Sequence, residues 1–294
     1  MAFFVPATDM FDGGRWHMGL SGISPVAQFL TARKDEVQAA ANNIKGDNEA
    51  KRMVADFQQK ASSITTTDAL MKNYSVNQVV LGAYNLSSLS GQQAVERQLL
   101  TQDPTSSSSL ARTSQNASWL AFADAFASLG AGKGTAEATP FTSDLIASTV
   151  SSYEQRRYET SDALKQNGVG DALYFTRRMQ SGQVKTLNDV MSDATLLRVV
   201  EVVSGYDPDQ FGVLDFDQQQ RILSKKVDMS TFSKPDSVQR YAEQYLAQIQ
   251  MHPDYNSDDK PASMIDLFGG DDGGDGILAL FGGSDSGSSS SGLL

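Results

Sequence analysis

The chain contains no cysteine, which excludes disulfides, thiolate metal sites and cysteine nucleophiles but leaves its compartment open. Only two histidines occur, His17 and His252. Both lie in irregular ends of the sequence, so neither histidine catalysis nor a histidine metal pair is expected. No apolar run approaches the roughly 20 residues of a membrane span. The opening stretch carries Phe3, Phe4, Val5, Phe11 and Trp16, but Asp9, Asp12 and Gly13-Gly14 interrupt them. Without a basic start followed by an apolar run, it is not a general secretory signal. An excess of positive charge is also missing: the net charge is −11. From His252 onward eight aspartates face one lysine, so seven of those negative charges sit in the last segment. The remainder is mildly acidic and offers no basic face for nucleic acid.

What is present is a pattern stated twice. Thr65-Thr66-Thr67-Asp68-Ala69-Leu70-Met71 leads to Val79-Val80, then Ala83-Tyr84-Asn85-Leu86, Leu99-Leu100, Asp103 and the aromatic run Trp119-Leu120-Ala121-Phe122. Thr186-Leu187-Asn188-Asp189-Val190-Met191 leads to Val199-Val200, Ser204-Gly205-Tyr206, Ile222-Leu223, Asp228 and Tyr241-Ala242. Self-similarity at an offset of roughly 120 residues predicts two related helical units.

The expected fold class is all-α: two related multi-helix units packed as one or two helical domains, followed by a disordered C-terminal tail. Residues 1–22 read as irregular. Residues 23–129 hold an N-terminal helical segment and the first unit. Residues 130–139 are a Gly-rich linker, 140–251 the second unit, and 252–294 an acidic Gly/Ser/Asp tail that cannot offset its ordering entropy. Ser24-Pro25 opens a helix expected to run to Ile44, with Val26, Phe29, Leu30, Val37 and Ile44 on one face. Thr67 is expected to cap a short helix. Residues 117–129 read as a helix buried nearly all round. A long helix is expected from Thr142 to Asn167, closed by Gly168. The β-branched Val199, Val200, Val202 and Val203 read as helix because Leu196 and Leu197 continue the pattern.

Motifs that invite chemistry fall short of it. Gly130-Ala131-Gly132-Lys133-Gly134-Thr135 lacks the first glycine and the Ser or Thr after lysine that a phosphate loop needs. Asp271-Asp272-Gly273-Gly274-Asp275 has neither tandem calcium repeats nor an EF-hand glutamate. Asp207/Asp209 and Asp215/Asp217 flank helix starts and read as caps. Tyr153, Arg156, Arg157 and Tyr158 read as a surface helix face with arginine stems packed along it. Three Asn-x-Ser sequons, at Asn73, Asn85 and Asn116, read as coincidence.

The candidate partner-binding residues lie in the tail. Leu267-Phe268-Gly269-Gly270 recurs as Leu280-Phe281-Gly282-Gly283, preceded by Ile265 and Ile277. Ile265, Leu267, Phe268, Ile277, Leu280 and Phe281 could each join a one-turn amphipathic anchor for a partner's groove. Two copies on one strand would raise avidity.

With those features in place, the two units resemble an alphaproteobacterial family catalogued as domain of unknown function 1217. Its units have a Thr/Ser-x-x-Asp entry, an apolar helix ending Ala-Phe-Gly-Leu, a paired aliphatic step before an Asp-rich turn, and a helix ending Phe-Ala-x-Ala-Phe. Here Tyr84-Asn85 stands in place of Phe-Gly, and Phe122-Ala123-Asp124-Ala125-Phe126 keeps the ending. The likeness covers roughly Ala50 to Gln250 and carries no catalytic residues. That family's place beside flagellar genes implies a non-enzymatic structural or adaptor protein of the flagellum, cytoplasmic or exported, with flagellar protein partners. No cofactor and no metal are expected. The alternatives are a secreted or cytoplasmic helical interaction protein unrelated to motility, or an enzyme with an unrecognised site.

Overall fold

A computed structural model describes residues 23–130 and 139–256. Among the described residues the chain is helical throughout, with no strand. No helix among the described residues is long and apolar enough to cross a membrane. The β-branched run at 199–203 is helical, as its aliphatic spacing predicts, and closes the Ala194–Val203 helix. The aspartates placed as caps act as caps, Asp207 accepting from Asp209 N and Asp215 from Gln218 N.

Two apolar cores organise the molecule. The first gathers Ile44, Phe57, Leu70, Val80, Leu100, Phe122 and Phe126. Its rings meet edge-on: Phe57 against Phe141 at 5.7 Å, and Tyr84 against both Phe122 and Phe126 at 5.7 Å. Such contacts add to the burial energy of the rings themselves. The second core gathers Leu173, Phe175, Val199, Leu223, Tyr245 and Leu246. Phe175, Phe232 and Tyr241 form its aromatic knot, with centroids 4.9–5.5 Å apart.

The cores exchange segments across the boundary that the sequence suggests. Phe29, near the start of the chain, is fully buried in the second core. Phe141, Val150 and Tyr153, beyond the Gly-rich stretch, are buried in the first. This exchange corrects the single helix expected from Ser24 to Ile44. The backbone breaks at Asp35 (φ −147°, ψ 54°), giving Pro25–Lys34 and Glu36–Gly46. The first piece must follow Phe29 into one core and the second must follow Ile44 into the other. Leu30 and Val37, expected to face inward with them, are exposed instead.

Other boundaries move for local reasons. Thr66, not Thr67, caps the Thr67–Lys72 helix through Ala69 N. The Ala117 helix stops at Ala125, and Trp119 and Leu120 are only half-buried, so it is not enclosed all round. The helix begun at Thr142 ends at Glu159; a separate turn, Asp162–Lys165, precedes Gly168 in the left-handed region at φ 73°. The sequon residues Asn73 and Asn116 are N-caps.

Local geometry in the two halves can be set side by side. Thr66 and Thr186 cap short helices; Asn73 and Asp193 cap the apolar helices that follow. Those helices close through Asn85 (φ 59°) and Gly205 (φ 83°). The amide of Leu86 bonds Leu81 O, and the amide of Tyr206 bonds Glu201 O.

The Ser143–Glu159 helix lies at the centre, packed against Glu36–Gly46, Tyr74–Ala83 and Val169–Gln180. Its approach to Val169–Gln180 depends on Gly170: a Cβ there would lie 1.8 Å from the carbonyl oxygen of Glu159.

Two substitutions test this packing. Gly170→Ala should cost about 3 kcal/mol or more because a backbone carbonyl must give way, whereas Gly46→Ala, with open space around it, should melt within a degree or two of the parent. Phe122→Ala, which empties a fully buried ring site, should cost roughly 3–5 kcal/mol in urea unfolding.

Candidate functional site

Where the cores meet, the contacts change from apolar to polar. The last turn of the central helix delivers Arg156 and Glu159 to this junction, and Gly170 brings Arg177 opposite. Glu159 has a side chain with no exposed surface. It accepts from Arg177 Nε and Nη2 at 2.9 Å each, and from Arg156 Nη1 at 3.3 Å. A buried carboxylate is tolerable only when paired this thoroughly. Burial raises the Glu159 carboxyl, and the two guanidiniums oppose that rise.

Tyr174 is the second fixed point. The Arg156 guanidinium carbon lies 4.3 Å and that of Arg177 5.3 Å from its ring centre, within cation–π range. Its hydroxyl donates to Asp193 Oδ2 at 2.5 Å and accepts from Asn85 Nδ2 at 2.9 Å. Burial, then Asp193, pushes the phenol well above its ordinary value, so it stays a donor. Asp193 Oδ1 meanwhile caps the Ala194–Val203 helix through Thr195 N and Leu196 N. Tyr174 thus ties the end of an apolar helix in the first half to the start of one in the second. Asn116 Nδ2 adds a cross-link to Ser192 O at 2.9 Å.

Glu36 stands at the edge of the cluster. Its Oε1 is 3.8 Å from Arg177 Nε, too far for a hydrogen bond, and has no partner as a carboxylate. Desolvation, then repulsion from Glu159, raises its pKa to about 7. In the protonated form it can donate to Glu159.

A cavity of about 270 Å³ opens beside this cluster, walled by residues of both halves, among them Asn85, Ser118, Thr149, Arg156, Arg177 and Arg178. Among the described residues no group of three or more His, Asp or Glu is placed to hold a metal ion.

The tail anchors Ile265, Leu267, Phe268, Ile277, Leu280 and Phe281 lie outside the described residues, as do residues 131–135 of the Gly-rich stretch and the acidic run at 271–275. The Tyr153-to-Tyr158 cluster, read from sequence as a surface face, is so only in part: Arg157 keeps 42% of its side chain exposed, while Arg156 and Tyr158 are half-buried. Tyr153 is buried against the first core. Arg157 pairs with Asp47, whose other oxygen caps the Asn48–Lys60 helix. Sequence reading missed Glu36, Glu159, Tyr174, Arg177, Arg178 and Asp193, since the contacts that join them across the junction, such as Arg178 to Ser118 and Tyr174 to Asn85, span 60 and 89 residues. Asn85 carried a signal: it replaces the glycine expected where the backbone turns left-handed. Asparagine tolerates that conformation and adds a side-chain donor.

Two outcomes follow from this geometry. Asn85→Gly should cost under about 1 kcal/mol, the loss of one hydrogen bond, whereas Asn85→Ala should cost roughly 1 kcal/mol more through left-handed strain. Glu36 binds its proton more tightly folded than unfolded, so its contribution is full below its ordinary value of 4.5 and is lost as pH rises through about 7. Glu36→Gln should therefore flatten the decline of stability from pH 5 to 8 and raise stability at pH 8 by about 1–3 kcal/mol, read from urea midpoints.

No curated protein matches the sequence. The fold resembles the crystal structure of an Agrobacterium tumefaciens protein, with a TM-score of 0.64 at 16% identity over 82% of this chain and 98% of that one. At that identity the likeness speaks for the fold alone. A family profile matches residues 83–238, a span holding Asn85, Arg156, Glu159, Tyr174, Arg177, Arg178 and Asp193. The chain is a member of that family, described as "Protein of unknown function (DUF1217)".

Proposed function

We propose that this protein is a non-enzymatic structural or adaptor component associated with the bacterial flagellum. The observation that carries the scaffold part is the junction: two apolar cores joined by a buried ion cluster around Glu159 and by exchanged helices. The exchanged helices fix the two bodies by the shape of their packing, and the ion cluster adds directional contacts at the junction. A fixed body of this kind suits presentation of binding segments. The matching caps at Thr66/Thr186 and Asn73/Asp193, and the matching helix ends at Asn85/Gly205, support two related units. The flagellar part rests on family membership, through the gene company that the sequence resemblance implies. Partner capture is assigned to the tail anchors Ile265, Leu267, Phe268, Ile277, Leu280 and Phe281.

The test has two arms. The protein should be found in purified flagella or medium of a motile strain and be absent there from a flagellar-export mutant. Equal amounts outside both strains would remove the exported-component reading and leave a helical interaction protein unrelated to motility. Deleting residues 257–294 should keep the melting temperature within about 1 °C while abolishing capture of flagellar partners; a loss of several degrees would mean that the anchors dock on the chain's own helices.

A further inference from the structure

The wall of the junction cavity has an unusual composition for a chain of net charge −11: three guanidiniums, from Arg156, Arg177 and Arg178, and no carboxylate. Ser118, Ser148, Thr149 and Ser152 form part of the remaining wall, the Ser148 hydroxyl donating to Leu145 O. The charge balance behind the wall is incomplete. Arg156 and Arg177 share Glu159. Glu36 and Asp193 stand behind Arg177 and Tyr174, and neither lines the cavity. Arg178 donates to Gln183 Oε1 at 2.5 Å and to Ser118 Oγ at 3.1 Å, both neutral. No carboxylate among the described residues forms an ion pair with it.

Two wall residues also hold buried polar atoms without partners, Nε of Arg178 and Oγ1 of Thr149. Thr149 is 2% exposed. A helical threonine commonly returns its hydroxyl to a carbonyl one turn back; Thr149 does not. Leaving such groups unmatched costs free energy; both atoms have almost no accessible surface, so an acceptor in the cavity reaches them only once the side chains turn.

We propose that this cavity binds a small tetrahedral oxyanion, inorganic phosphate or the phosphate group of a small metabolite, with Arg178 as the principal anchor. Guanidiniums suit oxyanions because their planar fork presents parallel donors. The donors here converge from the central helix, the Val169–Gln180 helix and the Ala117–Ala125 helix. A tetrahedral anion has oxygens for several directions at once; a single carboxylate presents two in one plane. The volume of about 270 Å³ admits a phosphate with a small organic group and excludes a macromolecule. Because the walls belong to both halves, the anion would brace the junction. This inference stands apart from the flagellar reading: either can fail while the other holds.

Calorimetric titration of the full chain with inorganic phosphate at constant ionic strength should give saturable binding with a Kd below about 1 mM, at least ten-fold tighter than for malonate, a dicarboxylate probe. Arg178→Gln should weaken phosphate binding at least ten-fold, and Arg178→Lys, which keeps the charge but loses the fork, at least five-fold. Arg240→Gln, on the exposed face of the last helix, should leave it unchanged. The Arg178 Nε–Hε resonance of the parent chain should shift on titration, a readout that needs no variant to fold. Absence of saturable phosphate binding, an equal response to chloride, or an unmoved Arg178 resonance would overturn the proposal.

Discussion

The pairing of Glu159 with Arg177 and Arg156 is the constraint to which the rest of the structure answers. A carboxylate with no exposed surface would cost several kcal/mol if its partners were removed. Both guanidiniums must therefore arrive in the right orientation. Arg156 is on the same helix and is delivered by the helical repeat. Arg177 comes from the Val169–Gln180 helix, and only a glycine at position 170 lets that helix come close enough. One backbone approach and one ion cluster thus depend on each other.

The cores on either side are non-directional in comparison. Stacked and edge-on rings fill them, and each set of rings lies within one core. The polar seam adds directional contacts between them. Tyr174 reaches Asn85 on one side and Asp193 on the other, while Asp193 also caps a helix of the second core. The same few side chains therefore finish secondary structure and orient tertiary structure. The exchange of Phe29 and Tyr153 between halves adds an interlock through the chain itself, since each core is completed by a segment that begins in the other's territory.

That arrangement also explains where the cavity is. Two guanidiniums needed for Glu159 and a third from the next residue, Arg178, crowd one wall. Small hydroxyl residues face them, leaving space where larger side chains would have closed the gap. A seam built from forks and hydroxyls has donors left over. A scaffold and a small-anion site are compatible because both use the same excess of directional donors.

The all-helical class was legible in the residues: Pro25 and Asp215 mark starts, and the 3.6-residue spacing of aliphatics overrides the β-branched run at 199–203. Burial of Phe122 and Phe126 was legible too, because large rings in a periodic apolar helix have one stable destination. The break at Asp35 was not, since the local sequence Lys34-Asp35-Glu36 has no strong breaker and only the pull of two separate cores divides the helix. Nor was the seam. Glu36, Glu159, Arg177 and Asp193 carry no local motif that sets them apart, and Asn85 and Tyr174, which bond each other, stand 89 residues apart in the chain. Local propensity and periodicity act over a few residues and so reside in the sequence. The choice of which charges are withdrawn from water belongs to the tertiary structure, which alone brings distant partners within hydrogen-bonding distance.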